Sequence, residues 1–395
     1  MVKREGYLDK IKKLKDKQVI KVVTGVRRCG KSTLLQQFRD YLRECGVDNS
    51  HIIAINFEDL AFEHLHDYKA LYSYVTERLV PGQMTYVFLD EIQTVSDFQK
   101  AVDSLFIQEN VDVYITGSNA HMLSGELATL LSGRYIEIRM LPLSFAEYYE
   151  LVGGDRRTAW NSYFTHGGFP YTAQLDDDAV RRDYLSGIYN TVLLKDIVSR
   201  KRIQDVPLLE SVIKFLFDNI GNTVSSKKIS DSLTSYGRKT TSVTVENYIE
   251  ALMESFILYK AGRYDIKGKQ YLKSLEKYYL VDVGLRRLLL GDKYSDIGHI
   301  LENIVYLELI RRGYRVSIGK IGNLEIDFVA ENGDNRIYYQ VAASVLNPST
   351  FAREITPLKK VNDHYPKFII TMDELSINED GIRQINVIDF LLAKP

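Results

Sequence analysis

The stretch Val19–Leu42, VIKVVTGVRRCGKSTLLQQFRDYL, constrains this chain more than any other. A β-branched apolar run (Val19, Ile20, Val22, Val23) breaks at Gly25 into a polar loop. From Ser32 the apolar spacing becomes helical, through Leu34, Leu35, Phe38 and Leu42. The order is strand, glycine loop, helix.

The loop satisfies G-x-x-x-x-G-K-[ST] with Gly25, Gly30, Lys31 and Ser32. Its glycines let the backbone turn and come close to a polyphosphate. The N–H groups from Gly25 through Val26, Arg27, Arg28, Cys29, Gly30 and Lys31 to Ser32 and Thr33, with the following helix N-terminus, then face the anion. Lys31 supplies a mobile positive charge to the β- and γ-phosphates of ATP, and the Ser32 hydroxyl is placed to ligate Mg2+. At average residue frequencies the pattern arises by accident about once in a hundred chains of this length. The competing reading is a glycine-rich surface turn. Arg27 and Arg28 either add potential at the phosphates or are simply solvated.

A chain of 395 residues with 45% hydrophobic content is long enough for two to three domains, each with a core. Lys plus Arg number 51 against 52 Asp plus Glu, so any nucleic-acid surface must be local. Cys29 and Cys45 form no disulfide framework, which fits a reducing cytoplasm. The basic N-terminus lacks a signal-peptide core, and no apolar run reaches membrane-spanning length. Leu8, Ile11 and Leu14 share a helical face, expected to pack on the phosphate-binding domain; a membrane or nucleic-acid arm is the alternative.

After the loop helix, His51–Phe57 reads as a buried strand. The next, Tyr86–Leu89, ends in Asp90 and Glu91. In a parallel sheet the reactive residues lie beyond the C-terminal ends of the strands. Asp90 is therefore placed to hold Mg2+ through water, and Glu91 to orient or deprotonate the attacking water. Val111–Thr116 gives a further strand ending near Ser118 and Asn119, which either sense the γ-phosphate or cap a helix. Tyr135–Arg139 is a fifth strand.

TGVRRCGKST, FLDEIQ, ITGSN, SGRYIEIRMLPLSFAEYY and HGGFP, in this order, resemble the bacterial and archaeal family of AAA-superfamily ATPases with a C-terminal domain of unknown function. The resemblance implies an ATP-hydrolysing fold in which Lys31 and Ser32 bind phosphate and Mg2+, Asp90 and Glu91 form the catalytic pair, and Ser118 or Asn119 is the sensor. Arg134 matches the SGR arginine, either a finger on a γ-phosphate in the same or a neighbouring subunit or a structural salt bridge.

Residues 142 to about 205 are helical by pattern, with a bend at Gly167-Gly168-Phe169-Pro170. Leu208–Asn219, Ser225–Tyr236 and Thr240–Phe256 give three helices, followed by a short extended pair, Ile257–Arg263 and Lys269–Lys273. That is the order of a winged helix-turn-helix. Lys227, Lys228, Arg238, Lys239, Arg263, Lys267 and Lys269 fall where DNA phosphates would be met, but Glu246, Glu250 and Glu254 on the third helix would repel a groove. DNA contact and protein contact both stay open.

From Gly298 a helix carries Glu302 and Glu308. Leu324–Ala330 and Ile337–Ala343 form a hairpin, and Lys367–Met372 and Gln384–Asp389 add strands. Glu302, Asp327 and Gln340 resemble the PD-(D/E)xK nuclease core. Ala342 stands where that core needs its lysine, so the site is expected to be degenerate unless Lys359, Lys360 or Arg353 substitutes.

The expectation is therefore an α/β chain: an AAA-like P-loop domain (1–150), a helical lid or linker (151–205), a winged helix (206–295) and an inactive nuclease-like domain (296–395). Mg2+-dependent ATP hydrolysis would act as a switch between them, with duplex DNA, a protein or a second copy of the chain as partner. The alternatives are an ATP-dependent nuclease and a nucleotide-dependent protein-binding regulator. A small-molecule kinase is disfavoured by the Asp90–Glu91 pair.

Overall fold

The computed structural model describes residues 2–123, 131, 133–291 and 296–393. These form two compact units, one of Met1–Pro142 with Glu254–Phe256 and one of Leu143–Met253 with Ile257–Pro395.

The first unit is built on five parallel strands, β1 (Ile20–Thr24), β2 (Ile52–Asn56), β3 (Thr85–Asp90), β4 (Val111–Gly117) and β5 (Tyr135–Arg139), in the order β2-β3-β4-β1-β5. Every residue of β1 and β3 is buried, the polar Lys21, Thr24, Thr85 and Asp90 included, as strands in a parallel sheet covered on both faces require. The helix Lys31–Glu44 lays Leu34, Leu35, Phe38 and Leu42 against the sheet. Burying each such side chain contributes about 1.5–3 kcal/mol. The N-terminal helix Glu5–Leu14 buries Tyr7, Leu8 and Ile11, so Tyr7 takes the place expected of Leu14. At the strands' N-terminal ends Lys21 pairs with Asp112, both buried, and Asp112 also accepts from the Tyr114 hydroxyl at 2.7 Å.

The second unit begins with helices, among them Phe145–Val152, Arg156–His166, Asp178–Ile188, Val206–Asp218, Ser226–Ser235 and Ser242–Glu254. The Gly-Gly bend is a docking point: the Gly168 N–H donates to Asp282 at 2.6 Å, and a Cβ on Gly167 would lie 2.0 Å from the same carboxylate. Gly167 adopts φ +78°, which glycine tolerates without strain.

A nine-stranded sheet follows, in the order β13-β14-β12-β11-β10-β9-β7-β8-β6. Its strands are β6 (Thr223–Val224), β7 (Leu258–Asp265), β8 (Gln270–Leu280), β9 (Arg315–Ile321), β10 (Leu324–Asn332), β11 (Asn335–Val341), β12 (Lys367–Thr371), β13 (Asn378–Glu379) and β14 (Ile382–Asn386). The β7–β8 hairpin joins the C-terminal strands through parallel pairing of Arg263–Asp265 with Ile318–Lys320.

Two expectations are corrected. The second strand of the hairpin continues to Leu280 instead of stopping at Lys273, because Tyr278–Leu280 pair with Leu258–Lys260. Gln384–Asp389 is not all strand: the Asn386 side chain accepts from the Ile388 N–H at 2.8 Å, capping a helix over Val387–Leu392.

Candidate functional site

The loop between β1 and the helix Lys31–Glu44 turns through two glycines, Gly25 at φ +150° and Gly30 at φ +102°. A Cβ at Gly25 would meet the Met140 carbonyl at 2.2 Å, so only glycine lets the loop leave β1 beside β5. The helix has no acidic residue in its first turn, and no side chain caps it. Its first N–H groups and its dipole thus face outward for an anion. Val26 and Cys29 are buried and anchor the loop; burial raises the Cys29 thiol. Arg28 is exposed, and Arg27 is half-buried and pairs with Glu58. Ser32 and Thr33 open the helix behind Lys31.

Lys31 is buried, and its ammonium donates to the carbonyls of Gly25 (3.1 Å) and Val26 (3.4 Å) and to the Ser118 hydroxyl (3.0 Å). It lies 3.3 Å from Glu91 Oε1. Glu91 also accepts from Ser118 at 2.7 Å and from Gln93 at 2.5 Å. Burial pushes this carboxyl up, but Lys31 with the Gln93 and Ser118 donors outweighs it and holds Glu91 below the usual range. Its backbone is left-handed, φ 54° and ψ 45°. For a non-glycine residue that stores about 1–3 kcal/mol of strain, of the kind found at functional sites.

Asp90 accepts from the Thr116 hydroxyl at 2.5 Å, and the Thr116 oxygen accepts from the Glu91 N–H at 2.9 Å. Burial raises Asp90, against the hydrogen bonds from Thr116 and Ser32. The Ser32 hydroxyl and the Asp90 carboxylate are thus neighbours and form an all-oxygen donor set that suits Mg2+. The residues present fit that ion.

Of the residues marked from sequence, Lys31, Ser32, Asp90, Glu91 and Ser118 come together. Asn119 follows Ser118 in the chain. Arg134 does not join them: its guanidinium pairs with Asp103 and stands 5.7 Å over the Phe106 ring. Ser132 of the same motif lies outside the described residues.

Two contributors escape sequence reasoning. Thr116 looked like the end of an apolar strand. Arg4 looked like one more basic residue of the N-terminus, yet it is buried and its guanidinium donates to the Cys29 carbonyl at 3.0 Å and the Leu141 carbonyl at 2.8 Å, bracing the loop. No sequence signal marks either.

A second polar cluster lies in the second unit. A register shift in β10 between Ile326 and Val329 sets Asp327 in a bulge, a device that re-aims side chains. Asp327 Oδ2 accepts from the Val341 N–H at 2.8 Å, while Gln340 accepts from the Asp327 N–H at 3.3 Å and donates to Glu354 at 2.8 Å. Glu302, on the helix Ile297–Arg311, accepts from the Tyr279 hydroxyl at 2.6 Å. Of the expected substitutes for the missing lysine, Lys359 pairs with Glu379 and Asp380, Lys360 is exposed at the end of the helix Pro348–Lys359, and Arg353 reaches only the edge of the cluster, where it pairs with Glu354. The ammonium present comes instead from Lys277 on β8, 3.0 Å from Glu302, 2.8 Å from Glu325 and 3.9 Å from Asp327.

Residues 17–149 match a family model described as an AAA domain, and residues 157–296 match a domain of unknown function, DUF8612. With the parallel sheet and the loop geometry, the first unit is an AAA-superfamily P-loop ATPase domain. The whole chain is 42% identical over 399 residues to an uncharacterized protein of Haemophilus influenzae, covering 99% of both, and belongs to the same family as that protein. The uncharacterized protein MJ1544 of Methanocaldococcus jannaschii is 29% identical over 395 residues, covering 94% of this chain and 85% of its own. Among solved structures, the Walker-type ATPase PABY2304 of Pyrococcus abyssi has a similar fold, with TM-score 0.51 at 16% identity, over 73% of this chain and 96% of that one. Among the described residues no helix is long and apolar enough to cross a membrane.

Proposed function

We propose that this chain is a Mg2+-dependent ATPase whose turnover acts as a switch on the second unit. The observation that carries the proposal is the convergence of Lys31, Glu91 and Ser118, with Glu91 held as a carboxylate beside the loop.

Bound at the loop, the γ-phosphate of ATP would compete with Glu91 for the Lys31 ammonium. Freed from its cation, Glu91 becomes a stronger base, able to orient a water and take its proton as the water oxygen bonds to phosphorus and the bond to the β-phosphate oxygen breaks. Ser118 touches both Lys31 and Glu91 and so is suited to report the γ-phosphate to the base. Ser32 and Asp90 would hold Mg2+, which supplies charge neutralisation at the phosphates.

We read the second unit as a winged-helix segment followed by a nuclease-like fold that has lost its chemistry. Three helices followed by the β7–β8 hairpin support the first reading, and Asp327 and Gln340 on adjacent strands support the second. Duplex DNA is the proposed partner, because Lys227, Lys228, Arg238, Lys239, Lys267 and Lys269 are all exposed on the helix Ser226–Ser235, its exit and the hairpin turn. Glu246 and Glu250 are exposed on the helix Ser242–Glu254, so contact would run through backbone phosphates and not through that helix in a groove.

The test is phosphate release from ATP with Mg2+, with and without duplex DNA, for the wild type and Glu91→Gln. Turnover that rises with DNA and is lost in Glu91→Gln is the expected result. Turnover unaffected by Glu91→Gln would remove the assignment of the base, and turnover indifferent to DNA would leave a protein as the partner.

A further inference from the structure

A PD-(D/E)xK resemblance implies a divalent metal held by Asp327, Gln340 and the helix glutamate Glu302. The residues present do not fit one. Lys277 is buried, and its ammonium lies among Glu302, Glu325 and Asp327, where such an ion would be ligated. Carboxylate oxygens bind Mg2+ or Ca2+ at about 2.0–2.6 Å, so an ion on these oxygens would sit within a few ångströms of a fixed positive charge.

The remaining donors are already engaged. Asp327 accepts from the Val341 N–H, and the Gln340 side chain is tied to the Asp327 N–H and to Glu354. Glu354 in turn accepts from Arg353. Among the described residues no three His, Cys, Asp or Glu side chains are arranged to hold a metal.

The ammonium also has a mechanical consequence. β7 pairs with β9 over Arg263–Asp265 alone, whereas Lys277 lies on the part of β8 that pairs with the first half of β7. Its ion pairs to the helix Ile297–Arg311 and to β10 therefore tether the hairpin beyond the reach of the sheet's own hydrogen bonds. Tyr279, stacked on Tyr306 with ring centres 4.2 Å apart, packs the same strand onto that helix.

We propose that the Lys277 ammonium is the resident cation of this cluster, a built-in replacement for the divalent metal, so that the C-terminal fold takes no metal and instead locks the β7–β8 hairpin to it. Burial works against the charge on Lys277, but Glu302, Asp327 and Glu325 outweigh it and raise the ammonium above its ordinary range. Asp327 is raised too, first by burial and then by Glu302. Glu302 and Asp327 are buried, and carboxylates held there without a partner charge are costly, a cost the Lys277 ammonium offsets.

The experiment titrates Mn2+ into the nucleotide-free full chain carrying Asp90→Asn, which silences the candidate Mg2+ position of the first unit. Bound Mn2+ is read by electron paramagnetic resonance and thermal unfolding is followed in parallel. With Lys277 intact, no saturable Mn2+ site and no shift in Tm are expected. Lys277→Met should lower Tm and create one Mn2+ site, with saturating metal restoring about 5 °C at a hundredfold excess over its Kd. Adding Asp327→Asn should abolish that site. A saturable Mn2+ site in the Lys277-intact chain that Asp327→Asn removes would overturn the proposal, as would a folded Lys277→Met chain that gains no site. If Lys277→Met does not fold, the Lys277-intact chain and Lys277→Arg, which keeps the charge and should stay folded and free of Mn2+, decide between the same outcomes.

Discussion

Lys31 and Lys277 are both buried ammoniums beside acidic side chains, 3% and 4% exposed, but their partners differ in kind. Lys31 faces two carbonyls of its own loop, one hydroxyl and a single carboxylate. In the proposed ATPase, phosphate oxygens would take the place of these partners beside the uncapped helix N-terminus. Lys277 faces three carboxylates from a helix and a strand, two of them buried. It cannot leave without stranding them in a poorly solvated site. A buried lysine with mostly neutral partners is free to exchange ligands, whereas one that neutralises several acids is part of the scaffold.

Exchanging the two substitutions tests this contrast most strongly. Lys31→Ala should cut ATP turnover by about 10²–10³-fold or more, the loss expected for one preorganised charge at a transition state. Its denaturation midpoint without nucleotide should move far less than that of Lys277→Met, because Ser118 and Gln93 still donate to Glu91. Lys277→Met should cost about 3–5 kcal/mol of stability, the usual price of an abandoned buried charge. Equal stability losses in urea titrations of the two variants would end the distinction.

A smaller effect separates the sites by pH. Glu91 sits below its ordinary 4.5, so below that pH the unfolded chain binds more protons than the folded one. Its stabilising contribution is present at neutral pH and lost on acidification. Asp327 is raised above its ordinary 3.8, so the folded chain keeps a proton where the unfolded chain has lost it, and the Asp327 contribution falls as pH rises. Urea midpoints measured across pH should show the deficit of Glu91→Gln shrinking toward acid pH. Asp327→Asn should gain on the wild type as pH rises from 3.8; parallel curves would refute the assignment.

The smallest effect concerns Arg134. Its side chain is 43% exposed and its partner Asp103 is 26% exposed. Arg134→Ala should therefore change stability by less than about 1 kcal/mol. A larger loss in thermal unfolding would show that the pair is more than a surface contact.

The nucleotide site was legible because its parts are local. A glycine loop between a strand and a helix, and an acidic pair ending an apolar strand, each carry their geometry in consecutive residues. The second site was legible only in outline. Glu302, Asp327 and Gln340 stood out by type and spacing, but Lys277 lies past the extended pair that was expected to end at Lys273, next to two tyrosines, and nothing near it in the chain points to Glu302 or Asp327. Arg4 was hidden for the same reason, since its acceptors, the Cys29 and Leu141 carbonyls, are backbone atoms distant in sequence.

By itself the sequence determined a glycine loop between a strand and a helix, an acidic pair ending an apolar strand, a run of helices and a C-terminal sheet. Periodicity and short-range chemistry suffice for these. Only the tertiary structure decided that β4 lies between β1 and β3, which brings Thr116 to Asp90 and Glu91 and, just beyond the strand, Ser118 to Lys31 and Glu91. It also decided that β8 brings a lysine into the second site from outside the hairpin that forms it. Strand order and long-range ion pairs are set by which faces must be buried together and which charges must be neutralised there, and neither is written in neighbouring residues.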